Sequence, residues 1–121
     1  MFWAPFIVDM PTRQYYTCRY TVNCTFITDP QLLILASLAG GDKHGYAMME
    51  DIERFAEVRL GAGTLYGAIT RLEERGWIER VESEDRRKPY RITGAGVSYL
   101  EKEMAGLDRV VKTTLRRLKH A

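Results

Sequence analysis

Arg86-Arg87-Lys88 places three consecutive cations at the end of a charged run that begins at Ser83. Upstream, Thr64, Tyr66, Thr70 and Arg71 put two hydroxyls, a phenol and a guanidinium on neighbouring positions of one segment. Side chains of these types bind phosphate oxygens, and a guanidinium can also grip the edge of a guanine. They do not make a catalytic set. No Ser/His/Asp or Cys/His group falls within one element, and no loop has the pattern that cradles a nucleotide phosphate. Cys18 and Cys24 have neither C-x-x-C spacing nor a nearby histidine, since His44 and His120 lie far along the chain. The expectation is therefore no enzyme, no cofactor and no metal, with two reduced thiols or a local disulfide in the N-terminal segment. His44 beside Gly45 reads as a helix-start residue rather than a base.

The bulk composition adds bounds. The chain has 121 residues and a net charge of +2, enough for one modest core. Any electrostatic footprint must then come from local clustering rather than from overall charge. No apolar stretch approaches the ~20 residues that a membrane-spanning helix needs. The apolar start, Met1 to Val8, has no basic leader and is interrupted by Pro5 and followed by Asp9, so it makes a poor signal peptide. A cytoplasmic location is expected.

What must position the candidate residues emerges from the periodicity. Residues 1–28 carry more than half of the aromatics and few charges, with a β-like run from Tyr20 to Ile27. They form an aromatic-rich extension, either disordered or packed on the domain or a partner. From Asp29 the pattern becomes regular. Asp29-Pro30 is a cap followed by a first-turn proline, and Leu32, Leu33, Leu35, Ala36 and Leu38 make an apolar stripe that stops at Gly40-Gly41. A second helix is expected over Lys43 to Glu57, with Met48, Met49, Ile52, Phe55 and Ala56 inward. A third runs from Gly63 to Arg75, with Leu65, Ala68, Ile69 and Leu72 inward and Gly76 as its stop. Trp77–Glu82 and Pro89–Thr93 read as two strands flanking the charged tip.

Three short helices followed by a hairpin is the order of a winged helix-turn-helix, here residues 29–93 of a mainly α chain with a small β-hairpin. Residues 94–121 continue as a long helix that Thr93 can cap. Val97, Leu100, Met104, Leu107, Val111 and Leu118 recur at alternating three- and four-residue steps, with Thr114 in the remaining place. That is a coiled-coil seam, and it predicts a homodimer. The same spacing also suits a final core helix. Lys112, Arg116, Arg117 and Lys119 complement the end of this helix and need no other explanation.

In a helix-turn-helix the second helix of the pair enters the major groove of double-stranded DNA. With Leu65, Ile69 and Leu72 inward, Gly63, Tyr66, Gly67, Thr70 and Glu74 face outward, and Thr64 and Arg71 flank them. The glycines allow close approach, while Thr64 and Arg71 can reach phosphate or guanine. Plainer roles stand beside these: Thr64 as a helix cap, Tyr66 as a seal on the core edge, Arg71 and Arg75 as partners of nearby glutamates. Arg86, Arg87 and Lys88 at the wing tip suit phosphate, although Glu84 and Asp85 dilute their field.

The blocks His44-Gly45-Tyr46, Gly63-Thr64-Leu65-Tyr66, Arg71 through Ile78, and Lys88-Pro89-Tyr90-Arg91-Ile92-Thr93 with Gly96 resemble the PadR family of transcriptional regulators over roughly residues 29–118. A single C-terminal helix makes the chain similar to that family's short subgroup. The resemblance implies a dimeric repressor on a palindromic operator, with the C-terminal helices mediating dimerisation. In some members a small aromatic or drug-like effector releases the DNA, so a small hydrophobic effector is implied as a partner. It also places Tyr46, Thr64 and Tyr66 near DNA and Arg86, Arg87 and Lys88 in the wing. The chain departs from the pattern at Gly67, where the family usually has proline, and in carrying no aromatic residue beyond Tyr99 in the last helix. A winged-helix module that binds protein rather than DNA is the alternative that the weak net charge and partly acidic wing permit.

Overall fold

A computed structural model describes residues 29–84 and 86–120. The aromatic-rich extension, its β-like run and both cysteines lie outside the described residues. Helix α1 spans Pro30–Leu38, α2 Gly45–Ala56 and α3 Ala62–Arg75. Strands β1 (Ile78–Arg80) and β2 (Tyr90–Ile92) follow, and α4 runs from Gly94 to Lys119. The fold is mainly helical with one small antiparallel sheet, as the order of sequence patterns implies.

Caps explain most of the boundaries. Asp29 accepts a hydrogen bond from the Gln31 N–H at 3.1 Å, and Pro30 occupies the first turn. His44 caps α2, its Nδ1 accepting from the Ala47 N–H at 3.3 Å. Gly61 starts α3 with no side-chain cap. The helix thus begins at Ala62, one residue before the expected start at Gly63, and Thr64 is not its cap. Gly76, at φ 76°, closes α3 in the left-handed conformation that glycine adopts without strain. Thr93 caps α4 by accepting from the Gly96 N–H at 3.1 Å, and its hydroxyl donates to the Gly76 carbonyl at 2.6 Å.

The core is built around α1, which packs on α2, α3, β2 and α4. Leu33, Ile34, Leu35 and Leu38 are all buried, so the helix has no single inward stripe. This is why Ile34, off the expected stripe, is as enclosed as its neighbours. Met48 and Ile52 of α2 and Leu65, Ala68, Ile69 and Leu72 of α3 complete the centre. Burial of each large side chain here contributes about 1.5–3 kcal/mol. Phe55 departs from the expected inward face and lies half-exposed near the end of α2. One polar network is enclosed with the core. Ser37 donates to Asp51 at 2.7 Å, and the Lys43 ammonium donates to the Ser37 carbonyl at 2.6 Å, which ties the end of α1 to α2.

The strands pair with Ile78 opposite Ile92 and Arg80 opposite Tyr90. They are shorter than the sequence pattern suggests, and the sheet gains a neighbour the sequence does not announce. Lys43 exchanges both backbone hydrogen bonds with Tyr90, at 3.2 and 2.9 Å, so the segment before α2 lies along the wing. The start of α4 is pressed against the sheet. A Cβ at Gly96 would collide with the Trp77 carbonyl and stand 2.8 Å from Ile92 Cγ1. One turn later Tyr99 stacks on Trp77, ring centroids 3.9 Å apart, with Arg75 over the indole at 5.0 Å.

Candidate nucleic-acid interface

Burying Leu65, Ala68, Ile69 and Leu72 turns the opposite side of α3 to solvent. Gly63, Thr64, Tyr66, Gly67, Thr70 and Arg71 are all exposed there. The Thr70 hydroxyl donates back to the Tyr66 carbonyl at 3.0 Å, and its lone pairs remain available outward. At Gly63 and Gly67 a Cβ would meet nothing within 4 Å. Their lack of a side chain is therefore not required by packing within the described chain.

A groove of about 600 Å³ opens beside this face, lined by His44, Gly45, Tyr46, Tyr66, Arg86, Arg87, Lys88 and Tyr90. Three elements meet in it: the start of α2, the first turns of α3 and the wing. Tyr46 and Tyr66, 63% and 49% exposed, are its aromatic walls. The Tyr66 ring rests on the backbone of Gly45, where a Cβ would stand 2.8 Å from Tyr66 Cζ. From the wing, Arg87 reaches His44, with Nη1 3.2 Å from Nε2. The three wing cations are exposed.

The structure thus brings Tyr46, Tyr66, Arg86, Arg87 and Lys88 around one groove. It sets Gly63, Thr64, Gly67, Thr70 and Arg71 on the adjoining helix face. His44, Gly45 and Tyr90 also line the groove and were not singled out as contacts from sequence. The motif His44-Gly45-Tyr46 was the available signal, since it pairs a ring with a residue that has no side chain.

The seam residues lie elsewhere, along α4. Val97, Met104, Val111 and Leu118 are exposed, whereas Leu100 packs in the chain's own core and Leu107 is half-buried. Val110 and Leu115, which fall outside the heptad seam, are about half-exposed. On the other side of α4 the acidity of Tyr99 is displaced. Partial burial, then the nearby carboxylates of Glu103 and Asp29, hold its phenol above the usual range. Among the described residues no His/Cys/Asp/Glu group is arranged to hold a metal, and no helix is long and apolar enough to cross a membrane.

Comparison with known proteins agrees with this geometry. The model of the transcriptional regulator PadR-like family matches residues 34–102. A transcriptional regulator from Clostridium thermocellum superposes with a TM-score of 0.63 at 30% identity, covering 72% of this chain and 87% of that one. A PadR family transcription regulator from Clostridium difficile R20291 gives 0.66 at 26% identity, covering 74% and 97%. The chain is also 42% identical over 82 residues to an uncharacterized 37.1 kDa protein in transposon TN4556 of Streptomyces fradiae. That match takes in 68% of this chain but only 24% of the relative's length. A family match over more than half of the chain, on a winged helix with these blocks in order, identifies the protein as a member of the PadR-like family of transcriptional regulators.

Proposed function

We propose that the chain is a homodimeric repressor that binds a palindromic operator in double-stranded DNA. In this reading α3 enters the major groove and the wing lies on the adjacent backbone. The observation that carries the reading is the groove itself: three exposed cations and two tyrosines adjoin a helix face whose small residues leave room for another body. Glycine within a helix costs about 1 kcal/mol relative to alanine. At Gly63 and Gly67 nothing inside the described chain excludes a side chain, so close approach from outside accounts for them. Tyr46, Tyr66, Arg86, Arg87 and Lys88 would hold phosphates, while Thr64, Thr70 and Arg71 would face base edges.

Pairing is supported by α4. Beyond Leu107 almost every residue is exposed, including Val110, Val111, Leu115 and Leu118. A helix projecting alone is only marginally stable in water, and a second copy would cover this apolar side. Two α3 helices related by a two-fold axis would then meet successive major grooves about 34–36 Å apart. Release by a small hydrophobic effector, and a cytoplasmic location, follow from the family reading.

The test is a gel shift with the protein's own promoter region in the presence of excess unrelated duplex. A retained complex is expected. If no complex forms even at low salt, the DNA reading fails and the protein-binding alternative takes its place.

A further inference from the structure

His44 has two neighbours that make incompatible demands on it. Its Nδ1 accepts from the Ala47 N–H at 3.3 Å, which caps α2. A neutral imidazole has one N–H and one lone pair, so this use of Nδ1 puts the proton on Nε2. Yet Nε2 is the atom 3.2 Å from Arg87 Nη1, and a guanidinium has donors only. Two N–H groups therefore face each other at hydrogen-bond distance. Moving the proton to Nδ1 would satisfy Arg87 but leave the first turn of α2 uncapped. The ring can serve one neighbour or the other.

We infer that His44 and Arg87 form a joint phosphate site, in which one anionic oxygen of the DNA backbone accepts from both His44 Nε2–H and Arg87 Nη1–H. An anionic oxygen has the lone pairs to take two donors, and it resolves the conflict without disturbing the cap. The pair sits in the groove beside Arg86 and Lys88, where a backbone phosphate would arrive. His44 stands at the start of α2, and Arg87 is 43 residues away in the wing. The phosphate thus fastens the wing to the helix-turn-helix. Bringing in His44 adds an imidazole donor to the tyrosines and wing cations already assigned to phosphate. The inference rests on the DNA reading above and can fail separately from it.

The test uses the full chain, a labelled 30-base-pair duplex of mixed sequence as a probe of backbone contact, and low salt. His44→Asn keeps an oxygen that can cap α2 but removes the second ring nitrogen. It is expected to weaken binding about tenfold, the scale of one hydrogen bond to a charged group. Arg87→Ala weakens binding as well, and the double variant loses clearly less than the product of the two single losses. If His44→Asn binds like the parent, or the two losses multiply fully while Arg87→Ala still weakens binding, the joint site is wrong and the DNA reading stands. If the parent itself does not bind the duplex, both fall. The parent also gives a readout that does not depend on a variant folding. In ¹⁵N–¹H spectra His44 should carry its proton on Nε2, and that nitrogen should shift when duplex is added. A proton on Nδ1, or an unmoved Nε2, overturns the inference.

Discussion

The hydroxyl end of the Tyr66 ring sits against Gly45, so close that a Cβ added to Gly45 would stand 2.8 Å from Tyr66 Cζ and collide with its hydroxyl. Through this contact the start of α2 sets the direction of a side chain on α3. Tyr66 is half-exposed, so its ring can swing away into solvent if displaced. Gly45→Ala should therefore lower stability by less than about 1 kcal/mol, well below the overpacking of a closed core. DNA affinity should fall, because the displaced ring no longer walls the groove. Thermal melts paired with a duplex-binding assay separate the two effects, and unchanged affinity would remove Tyr66 from the interface.

Gly67 predicts the opposite balance. It lies within α3, and a Cβ there meets nothing. Gly67→Ala should stabilise the fold by about 0.5–1 kcal/mol through helix propensity and reduced unfolded-state freedom. If the face meets DNA closely, the same change weakens binding. A variant that gains stability and keeps full affinity would show that the open surface at Gly67 has no partner.

Much of this architecture was readable from the chain because its signals are local. Asp29-Pro30 and Thr93 cap helices as written, and the three-four spacing of Leu65, Ala68, Ile69 and Leu72 gives the buried side of α3. Contacts that join distant residues were not readable. Lys43 pairs with Tyr90 through one backbone position on each side, too little to leave a strand pattern. His44 meets Arg87 across 43 residues, and only the fold brings them together. The omission of Ile34 from the expected stripe and the inward expectation for Phe55 have complementary reasons. Helix α1 is surrounded on several sides and shows no stripe, whereas Phe55 near the end of α2 is left half-exposed. The recognition face was legible as a set of outward positions, while the groove beside it required the tertiary structure.

The apolar side of α4 yields a prediction about assembly. Leu115 is about half-exposed in the single chain, so Leu115→Glu removes little from the fold of one protomer. Sedimentation velocity should show the parent at twice the mass of one chain and the variant as a folded monomer. A variant that remains dimeric would place the interface elsewhere. Leu100→Glu is not a substitute, because Leu100 belongs to the protomer's own core and its loss would unfold the chain.

Alkaline stability should register Tyr99. Its phenol is held above the usual value near 10 by burial first and by the Glu103 and Asp29 carboxylates second. A raised value in the folded state means that the neutral phenol is favoured there. The contribution is complete below the unfolded value and is lost as pH rises through the folded one. Denaturant midpoints should therefore fall as pH rises above about 10, more steeply in the parent than in Tyr99→Phe. Equal slopes for the two proteins would show that Tyr99 is not the group responsible.

The central claim, that the wing and the groove beside α3 hold the DNA backbone, is tested most directly by the salt dependence of duplex binding. Fluorescence anisotropy should be measured for the parent and for the combined variant Arg86→Ala, Arg87→Ala, Lys88→Ala. Each phosphate contact contributes a slope of about 0.9 in log affinity against log salt, through counterion release. The variant should bind more weakly to every sequence, and its slope should be shallower by about two to three. Equal affinity and equal slope in the two proteins would contradict the assignment of the wing to DNA.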